Sequence, residues 1–188
     1  MNLLQLILRK LLNGHKASLK NQKFGAVANK EGAANISIQE RVMIRQFKKT
    51  DEKAVVEVWL RSGKAEYDYL PDFLALDSES GLEVFQDEIS GKCDIWVAEL
   101  DGDICGYIAM IGSHIDRLYI DPNFQHRGVG TKLLQFAKAN NPNGLTLRTH
   151  LQNTRARRFY EYQGFEVNEF GTSPAPESLP DVEYVWGG

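Results

Sequence analysis

The chain has 188 residues, of which 43% are hydrophobic and 25% are charged, the usual composition of a soluble globular domain rather than a disordered or membrane-spanning chain. Its net charge of −3 divides unevenly: residues 1–40 carry six Lys or Arg against two Glu, and residues 41–188 carry 16 against 23. An acidic body lacks the concentrated basic face of a nucleic-acid binder, so no nucleic-acid partner is expected. Cationic small molecules or peptides suit it better.

The N-terminal stretch "MNLLQLILRKLLNGHK" predicts a short helix with a broad apolar face. Arg9 and Lys10 interrupt its apolar run, no cleavage site follows promptly, and it is shorter than a membrane span, so neither secretion nor spanning is indicated. The apolar face packs on the body, on a second subunit of a homodimer or on a membrane surface, and the sequence leaves these alternatives open. "NKEGAANISIQE" follows as a polar linker, so residues 1–40 are expected to be separate from the domain.

From Arg41 the elements become regular, and the first of them is a strand at "RVMIRQF". Thr50 to Glu52 then provide capping residues for a helix, and a second helical region is predicted from Asp77 to Ile89. "DIWVAELDGDICGYIAMIG" predicts a hairpin, because Asp101-Gly102 supplies the left-handed turn between two apolar runs. Cys93 and Cys105 have no zinc-site spacing, so they are expected to be unpaired thiols in a reducing cytoplasm.

The second half continues with a strand from His114 to Ile120 and a helix that begins after two glycines. "LTLRTHL" is a further strand, Asn153 to Gln163 a further helix, and "FEVNEF" and "VEYVW" are two closing strands. This order predicts an α/β (α+β) domain over residues 41–188, with a mixed, mostly antiparallel sheet of about six to seven strands flanked by helices.

The joint in "DRLYIDPNFQHRGVGTKLL" predicts an anion-binding cradle. A strand that leads through a glycine-rich turn into a helix presents free backbone N–H groups and the positive end of the helix dipole. Gly128 and Gly130 lack a Cβ, which lets an anionic group approach closely, although a tight turn without a ligand is the alternative. The spacing fits neither a Walker A loop nor a dinucleotide-binding fingerprint.

Two motifs resemble those of the GNAT superfamily of acetyl-coenzyme A (acetyl-CoA) dependent N-acetyltransferases. "QHRGVG" matches the signature Q/R-x-x-G-x-G/A, and "NTRARRFYEYQGF" matches N-x-x-A-x-x-F-Y-x-x-x-G-F. The similarity starts at Arg41 and leaves residues 1–40 outside; "VWLRSG" and "HIDRLYIDP" look like a small bacterial subgroup. The residues that carry the two motifs are Gln125, Gly128, Gly130, Asn153, Ala156, Phe159, Tyr160, Gly164 and Phe165.

The resemblance implies that the joint holds the pyrophosphate of coenzyme A. It also implies that the strands at 114–120 and 145–151 splay apart, so that free backbone of the first strand bonds the pantetheine arm. No metal is implied. The expected coenzyme-binding residues are Leu118, Tyr119, Ile120, Gln125, His126, Arg127, Gly128, Val129, Gly130, Thr131, Asn153 and Tyr160.

Acetyl transfer to an amine needs a base for the ammonium proton and an acid for the departing thiolate. The resemblance gives the acid role to Tyr160. The alternative is that Tyr160 is a core tyrosine with no role in the chemistry. His114 lies where well-studied relatives carry a glutamate base, and Asp116 follows two residues later on the same face, with a water chain as the alternative. His126 and His150 are weaker candidates for the base. The aromatic residues on or after the first helix either wall an acceptor pocket or belong to the core: Trp59, Tyr67, Tyr69 and Phe73. The implied function is direct transfer, in a ternary complex, to a primary amine of a small molecule or peptide; a non-catalytic acyl-CoA sensor is the alternative.

Overall fold

The computed structural model describes residues 41–174 and 177–187, and its centre is one seven-stranded sheet in the order β1-β2-β3-β4-β5-β7-β6. All neighbouring strands are antiparallel except β4 and β5, which are parallel. The predicted fold class is therefore confirmed. The strands are β1 (Met43–Gln46), β2 (Asp94–Leu100), β3 (Asp103–Ile111), β4 (His114–Ile120), β5 (Leu145–His150), β6 (Glu166–Thr172) and β7 (Pro180–Trp186).

Helices cover both faces of the sheet. They are α1 (Glu52–Glu66), α2 (Pro71–Leu74), α3 (Ser78–Phe85), α4 (Val129–Asn140) and α5 (Thr154–Tyr162). The Asp77 carboxylate caps α3 by accepting the N–H of Ser80 at 2.9 Å. A π-helical turn at Gln86–Ser90 completes the helical region predicted from Asp77 to Ile89. The single turn of α2, with Pro71 at its start, was not predicted.

The β2–β3 hairpin forms as predicted. Asp101 and Gly102 have φ of 54° and 92°, the left-handed conformations that a tight hairpin turn requires. Gly164, with φ of 80°, follows α5 in the same conformation and ends that helix.

Two apolar clusters hold the layers together. On one face, α1 and α3 bury Trp59, Val84 and Phe85 against β2 and β3. On the other face, α4 buries Leu133 and Leu134 against the strands on that side. These side chains are fully buried, and each buried aliphatic or aromatic side chain contributes about 1.5–3 kcal/mol to folding.

The predicted splay between β4 and β5 is present. Only two residue pairs join them, His114 with Thr146 and Ile115 with Leu147, so Leu118–Ile120 have no strand partner on that side. The pairing of β4 with β3 also shifts between Ala109 and Met110, which leaves Asp116 without a partner in a bulge. The sheet therefore opens where β4 ends.

The predicted N-terminal helix and linker, residues 1–40, lie outside the described residues. Cys93 and Cys105 are both free thiols, the first half-buried and the second buried. Within residues 41–174 and 177–187, no cluster of His, Cys, Asp or Glu has the arrangement of a metal site. None of the described helices is long and apolar enough to cross a membrane.

Candidate active site

A groove of about 750 Å³ follows the open edge of β4 between the N-terminus of α4 and helix α5. Ser62 and Glu66 of α1 close one end of it. Ten of the twelve residues expected to bind coenzyme A line this groove: Leu118, Tyr119, Ile120, Gln125, His126, Gly128, Gly130, Thr131, Asn153 and Tyr160. The two sequence motifs, between which 22 residues lie in the chain, are thus brought to one surface.

The glycine turn presents bare backbone to the groove. His126 and Gly128 have φ of 58° and 82°, which turns the chain sharply before α4 begins at Val129. A Cβ at Gly130 would lie 3.4 Å from the Phe159 ring and 3.5 Å from Ile120. The first N–H groups of a helix have no intrahelical acceptor, so this turn offers donors to an anion.

Gln125 and Asn153 shape the groove through their side chains. Gln125 Nε2 donates to the Ile120 carbonyl at 3.2 Å, and its Oε1 accepts from Arg155 at 2.8 Å. Asn153 is buried and caps α5, because its Oδ1 accepts the N–H of Ala156 at 3.0 Å. Both residues therefore have structural bonds in addition to their place in the groove wall.

Tyr160 lines the groove from α5 and is only 7% exposed. Its ring contacts Phe159 and Phe165 edge-on, with centroids 5.3 and 5.6 Å away. Burial raises the pKa of the Tyr160 hydroxyl above its ordinary value. The phenol therefore stays protonated at neutral pH and is able to donate.

Two of the twelve residues lie off the groove wall. The Val129 side chain is buried in the core, which leaves only its backbone N–H at the turn. The Arg127 guanidinium lies over the Phe124 ring, 5.9 Å from the centroid, and is exposed.

His114 and Asp116 do not line the groove. His114 Nδ1 is 2.8 Å from Thr146 Oγ1, at the end of β4 that is still paired with β5. Asp116 lies in the bulge, with its Oδ2 3.2 Å from Arg117 and 3.9 Å from the Cys93 thiol. Their roles in proton transfer stay predictions.

A cluster of tyrosines and one histidine lies beside the opening between β4 and β5. The Tyr67 hydroxyl is 3.2 Å from that of Tyr119, and the Tyr69 hydroxyl is 3.2 Å from His150 Nδ1. His150 Nε2 is in turn 3.2 Å from the Glu177 carboxylate. The sequence indicated His150 as a weaker base candidate and Tyr67 and Tyr69 as candidate pocket walls, but it did not predict their contacts with one another or with Glu177.

Of the aromatic residues on or after α1, two belong to the hydrophobic core and two to the tyrosine cluster beside the opening. Trp59, 0% exposed, and Phe73, 3% exposed, belong to the core. Tyr67 and Tyr69 are half-buried and belong to the cluster just described.

An ion pair crosses one end of the groove. Glu66 Oε1 of α1 lies 2.6 Å from Arg155 of α5, and both residues line the groove. Burial raises the pKa of the Glu66 carboxyl, and the charge of Arg155 opposes this shift. Neither residue was predicted, because the contact joins helices far apart in the chain.

Comparison with known proteins identifies the family. A family model described as an acetyltransferase (GNAT) domain matches residues 91–167. Peptidyl-lysine N-acetyltransferase YjaB from Salmonella typhimurium is 32% identical over 127 residues, which cover 67% of this chain and 84% of YjaB. The chain belongs to the GNAT family of acetyltransferases. The predicted family and its N-acetyltransferase activity are confirmed.

Solved structures agree with the GNAT fold. The solution structure of apo YjaB from Escherichia coli has a TM-score of 0.63 and 26% identity, covering 77% of this chain and 96% of that one. The structure of yncA from Salmonella typhimurium with its cofactor acetyl-CoA has a TM-score of 0.57 and 18% identity, covering 78% and 94%. The GNAT family model spans β4, the glycine turn and α5, and therefore most of the groove.

Proposed function

We propose that this GNAT enzyme moves an acetyl group from acetyl-CoA to a primary amine by direct transfer in a ternary complex. One observation carries the proposal: the glycine turn, the open edge of β4 and Tyr160 all line one groove. The solved yncA structure, which shares the fold, contains acetyl-CoA. The groove volume of about 750 Å³ lies in the range of small-molecule sites.

Each part of the groove suits one part of acetyl-CoA. The N–H groups of residues 126–131 donate to the pyrophosphate, where the dipole of α4 also favours negative charge. The edge of β4 at Leu118–Ile120, which has no strand partner there, binds the pantetheine arm like an added strand. This orientation brings the thioester toward Tyr160.

Tyr160 acts as the general acid in this proposal. Its pKa is raised by burial, so the phenol carries its proton at neutral pH and gives it to the departing thiolate. No covalent acetyl-enzyme is required, because Cys93 and Cys105 both lie outside the groove wall. The amine attacks the thioester carbonyl directly, and the thiolate leaves with the proton from Tyr160 as the tetrahedral intermediate collapses.

We further propose that the acceptor is a lysine side chain of a peptide. The relative with 32% identity is named a peptidyl-lysine N-acetyltransferase. The net charge of residues 41–188 is negative, which favours the approach of a cationic acceptor. A small-molecule amine is the competing acceptor class.

A coenzyme A release assay tests the function. The purified chain is incubated with acetyl-CoA and, separately, lysine peptides, polyamines or aminoglycosides, and mass spectrometry identifies the acetylated product. Turnover above the hydrolysis rate without amine, fastest with lysine peptides, supports the proposal. Tight acetyl-CoA binding without turnover on any amine would instead favour an acyl-CoA sensor.

A further inference from the structure

The opening between β4 and β5 has the coenzyme groove on one side and a hydrogen-bonded histidine on the other. His150 is the last residue of β5, and its side chain is 14% exposed. Both ring nitrogens have partners: Nδ1 lies 3.2 Å from the Tyr69 hydroxyl and Nε2 lies 3.2 Å from the Glu177 carboxylate. The proposed function leaves this chain of three polar groups unused.

The partners determine the tautomer of the neutral ring. An ionised carboxylate only accepts hydrogen bonds, so Nε2 of His150 carries the hydrogen and donates it to Glu177. Nδ1 then has a lone pair and accepts from the Tyr69 hydroxyl. A neutral histidine oriented in this way by a carboxylate has the arrangement of a general base.

His150 does not line the groove, but it is linked to residues that do. Its ring centroid is 6.2 Å from that of Tyr67, and the Tyr67 hydroxyl bonds Tyr119, which lines the groove. The His150 carbonyl also accepts the N–H of Asn153 at 3.0 Å, and Asn153 lines the groove as well. An amine that enters between β4 and β5 from the tyrosine side therefore meets Tyr69 and His150 before the groove.

His114 has a less favourable position for the same task. It lies four positions before Leu118, roughly 13 Å away along an extended strand. Its Nδ1 bonds Thr146, where β4 and β5 are still paired and no opening exists. The base role predicted for it is therefore best tested against His150.

We propose that His150, oriented by Glu177 and contacted through Tyr69, accepts the first proton of the acceptor ammonium; this inference rests on the proposed function. Tyr69 takes a proton from the ammonium while passing its own to Nδ1, and the imidazolium releases it to solvent after turnover. The amine then attacks the thioester carbonyl. Its second proton, lost as the tetrahedral intermediate collapses, replaces the one that Tyr160 gives to the thiolate.

The groups around Tyr69 and His150 keep the Tyr69 hydroxyl protonated, so Tyr69 passes a proton on to His150 and does not act as a phenolate base. Burial raises the pKa of Tyr69, and the charges of Glu177, Asp68 and Glu66 raise it further, so its hydroxyl keeps a proton at neutral pH. Burial likewise raises the pKa of Tyr67, whose ring packs against His150. Among residues 41–174 and 177–187, the carboxylate bonded to His150 is that of Glu177, whose negative charge stabilises the imidazolium.

A pH profile on the full chain tests the proposal, with acetyl-CoA and an N-terminally blocked peptide containing one lysine. In the wild type, kcat/KM should rise with pH as the base in the free enzyme loses its proton, and should then level off. In His150→Gln the rate should fall roughly 100-fold at neutral pH, the scale of lost general-base catalysis. The remaining rate should climb with unit slope toward the pKa of the amine itself.

Matched variants separate the relay from simple packing. Tyr69→Phe should lower kcat with little change in KM, whereas Tyr184→Phe, which removes a hydroxyl bonded to Glu161 outside the groove wall, should keep the wild-type profile. Glu177→Gln should also lower kcat. If His114→Gln abolishes the rise of kcat/KM with pH and His150→Gln retains it, the assignment of the base to His150 is wrong.

A structural readout and a binding measurement complete the test. Nitrogen-15 NMR of the histidine rings, with His150→Gln for assignment, should show the tautomer with hydrogen on Nε2, and hydrogen on Nδ1 would overturn the relay for any acceptor. Calorimetry should give His150→Gln the wild-type affinity for acetyl-CoA. A wild type without turnover would refute the proposed function, whereas an active wild type and an equally active His150→Gln would refute only this inference.

Discussion

The hydroxyl of Tyr67 lies 3.2 Å from the hydroxyl of Tyr119, and this bond joins the segment after α1 to the end of β4. Tyr119 lines the groove, while Tyr67 packs against Tyr69 and His150. The proposed coenzyme side and the proposed acceptor side of the molecule are therefore in contact through one pair of phenols. A change on either side is expected to alter the other by displacing this pair.

Gly130→Glu should abolish acetyl-CoA binding. A side chain at this position begins in contact with Phe159 and Ile120, inside the groove, and its carboxylate would repel the pyrophosphate. Gly130 is a better position for this test than Gly128, because the φ of 82° at Gly128 would add backbone strain to any substitution. Isothermal titration calorimetry should show at least a hundredfold weaker binding.

Gly91→Glu provides the matched control for this variant. It adds the same charge at a turn where a Cβ would meet nothing within 4 Å and which lies outside the groove. Its affinity for acetyl-CoA should equal that of the wild type. Equal affinity in a folded Gly130→Glu protein would show that the glycine turn does not hold the coenzyme.

Arg155→Gln should weaken acetyl-CoA binding moderately, by roughly two- to fivefold, because an exposed charge contributes about 1 kcal/mol or less. Arg155 lines the groove with its guanidinium held by Gln125 and Glu66. The difference from the wild type should shrink as ionic strength rises, since salt screens the phosphates. Arg41→Gln removes the same charge from the surface pair with Asp101 and should leave both affinity and salt dependence unchanged.

Local signals in the sequence were enough for most elements. The alternation from His114 to Ile120 and the Asp121-Pro122 stop define β4 with the bounds that the structure has. The hairpin turn at Asp101-Gly102 and the glycine after α5 depend on backbone conformations that few residue types adopt. Such features can be predicted from the sequence, because each depends only on residues that are close together in the chain.

Contacts between distant segments could not be read in the same way. The bulge at Asp116 depends on how β3 pairs with β4, and the position of β7 between β5 and β6 depends on the whole sheet. His150 and Glu177 meet only because of that topology, and nothing in the loop sequence around Glu177 marks it as a partner. The motif side of the site was therefore predictable, whereas on the tyrosine side the sequence pointed to candidate residues but not to their contacts.

A chain that begins at Arg41 should fold and bind acetyl-CoA. The described residues form two closed apolar clusters, and Val42, 1% exposed, already belongs to one of them. Circular dichroism and calorimetry on residues 41–188 should match those of the full chain in cooperative unfolding and in affinity. Loss of the folded state on removal of residues 1–40 would make that segment part of the core.

Asp51→Asn should destabilise the fold in a pH-dependent way. Hydrogen bonds from Arg45, at 2.7 and 3.1 Å, and from the Lys48 N–H hold the pKa of the buried Asp51 carboxyl below its ordinary value. This stabilisation is present above the unfolded-state pKa of about 3.9 and is lost as pH falls through the lower folded-state value. The variant should lose about 1–3 kcal/mol at pH 7, a typical value for hydrogen bonds to a charged group.

Urea unfolding at pH 7 and at pH 3 checks the sign. The difference between Asp51→Asn and wild type should shrink at the lower pH, where the wild-type carboxyl begins to take up a proton. Asp94→Asn changes an exposed aspartate and should show little difference at either pH. A pH-independent loss would point to packing, and not to charge, as the contribution of Asp51.

Tyr160→Phe should separate binding from chemistry. The ring keeps its edge-on contacts with Phe159 and Phe165, so the fold and the affinity for acetyl-CoA should be retained. The rate of acetyl transfer should fall roughly ten- to a thousandfold, because the departing thiolate loses its proton donor. Single-turnover kinetics, which isolate the chemical step from product release, are the measurement of choice.

Two further measurements test the acid role of Tyr160: the pH dependence of kcat and the effect of the leaving group. Since burial raises the pKa of the Tyr160 hydroxyl, the wild type should show no alkaline loss of kcat from its ionisation up to about pH 9. A more acidic thiol leaving group needs less help from an acid, so thioesters with such leaving groups should show a smaller difference between Tyr160→Phe and wild type. An identical deficit for good and poor leaving groups would show that Tyr160 positions the coenzyme instead of protonating its sulfur.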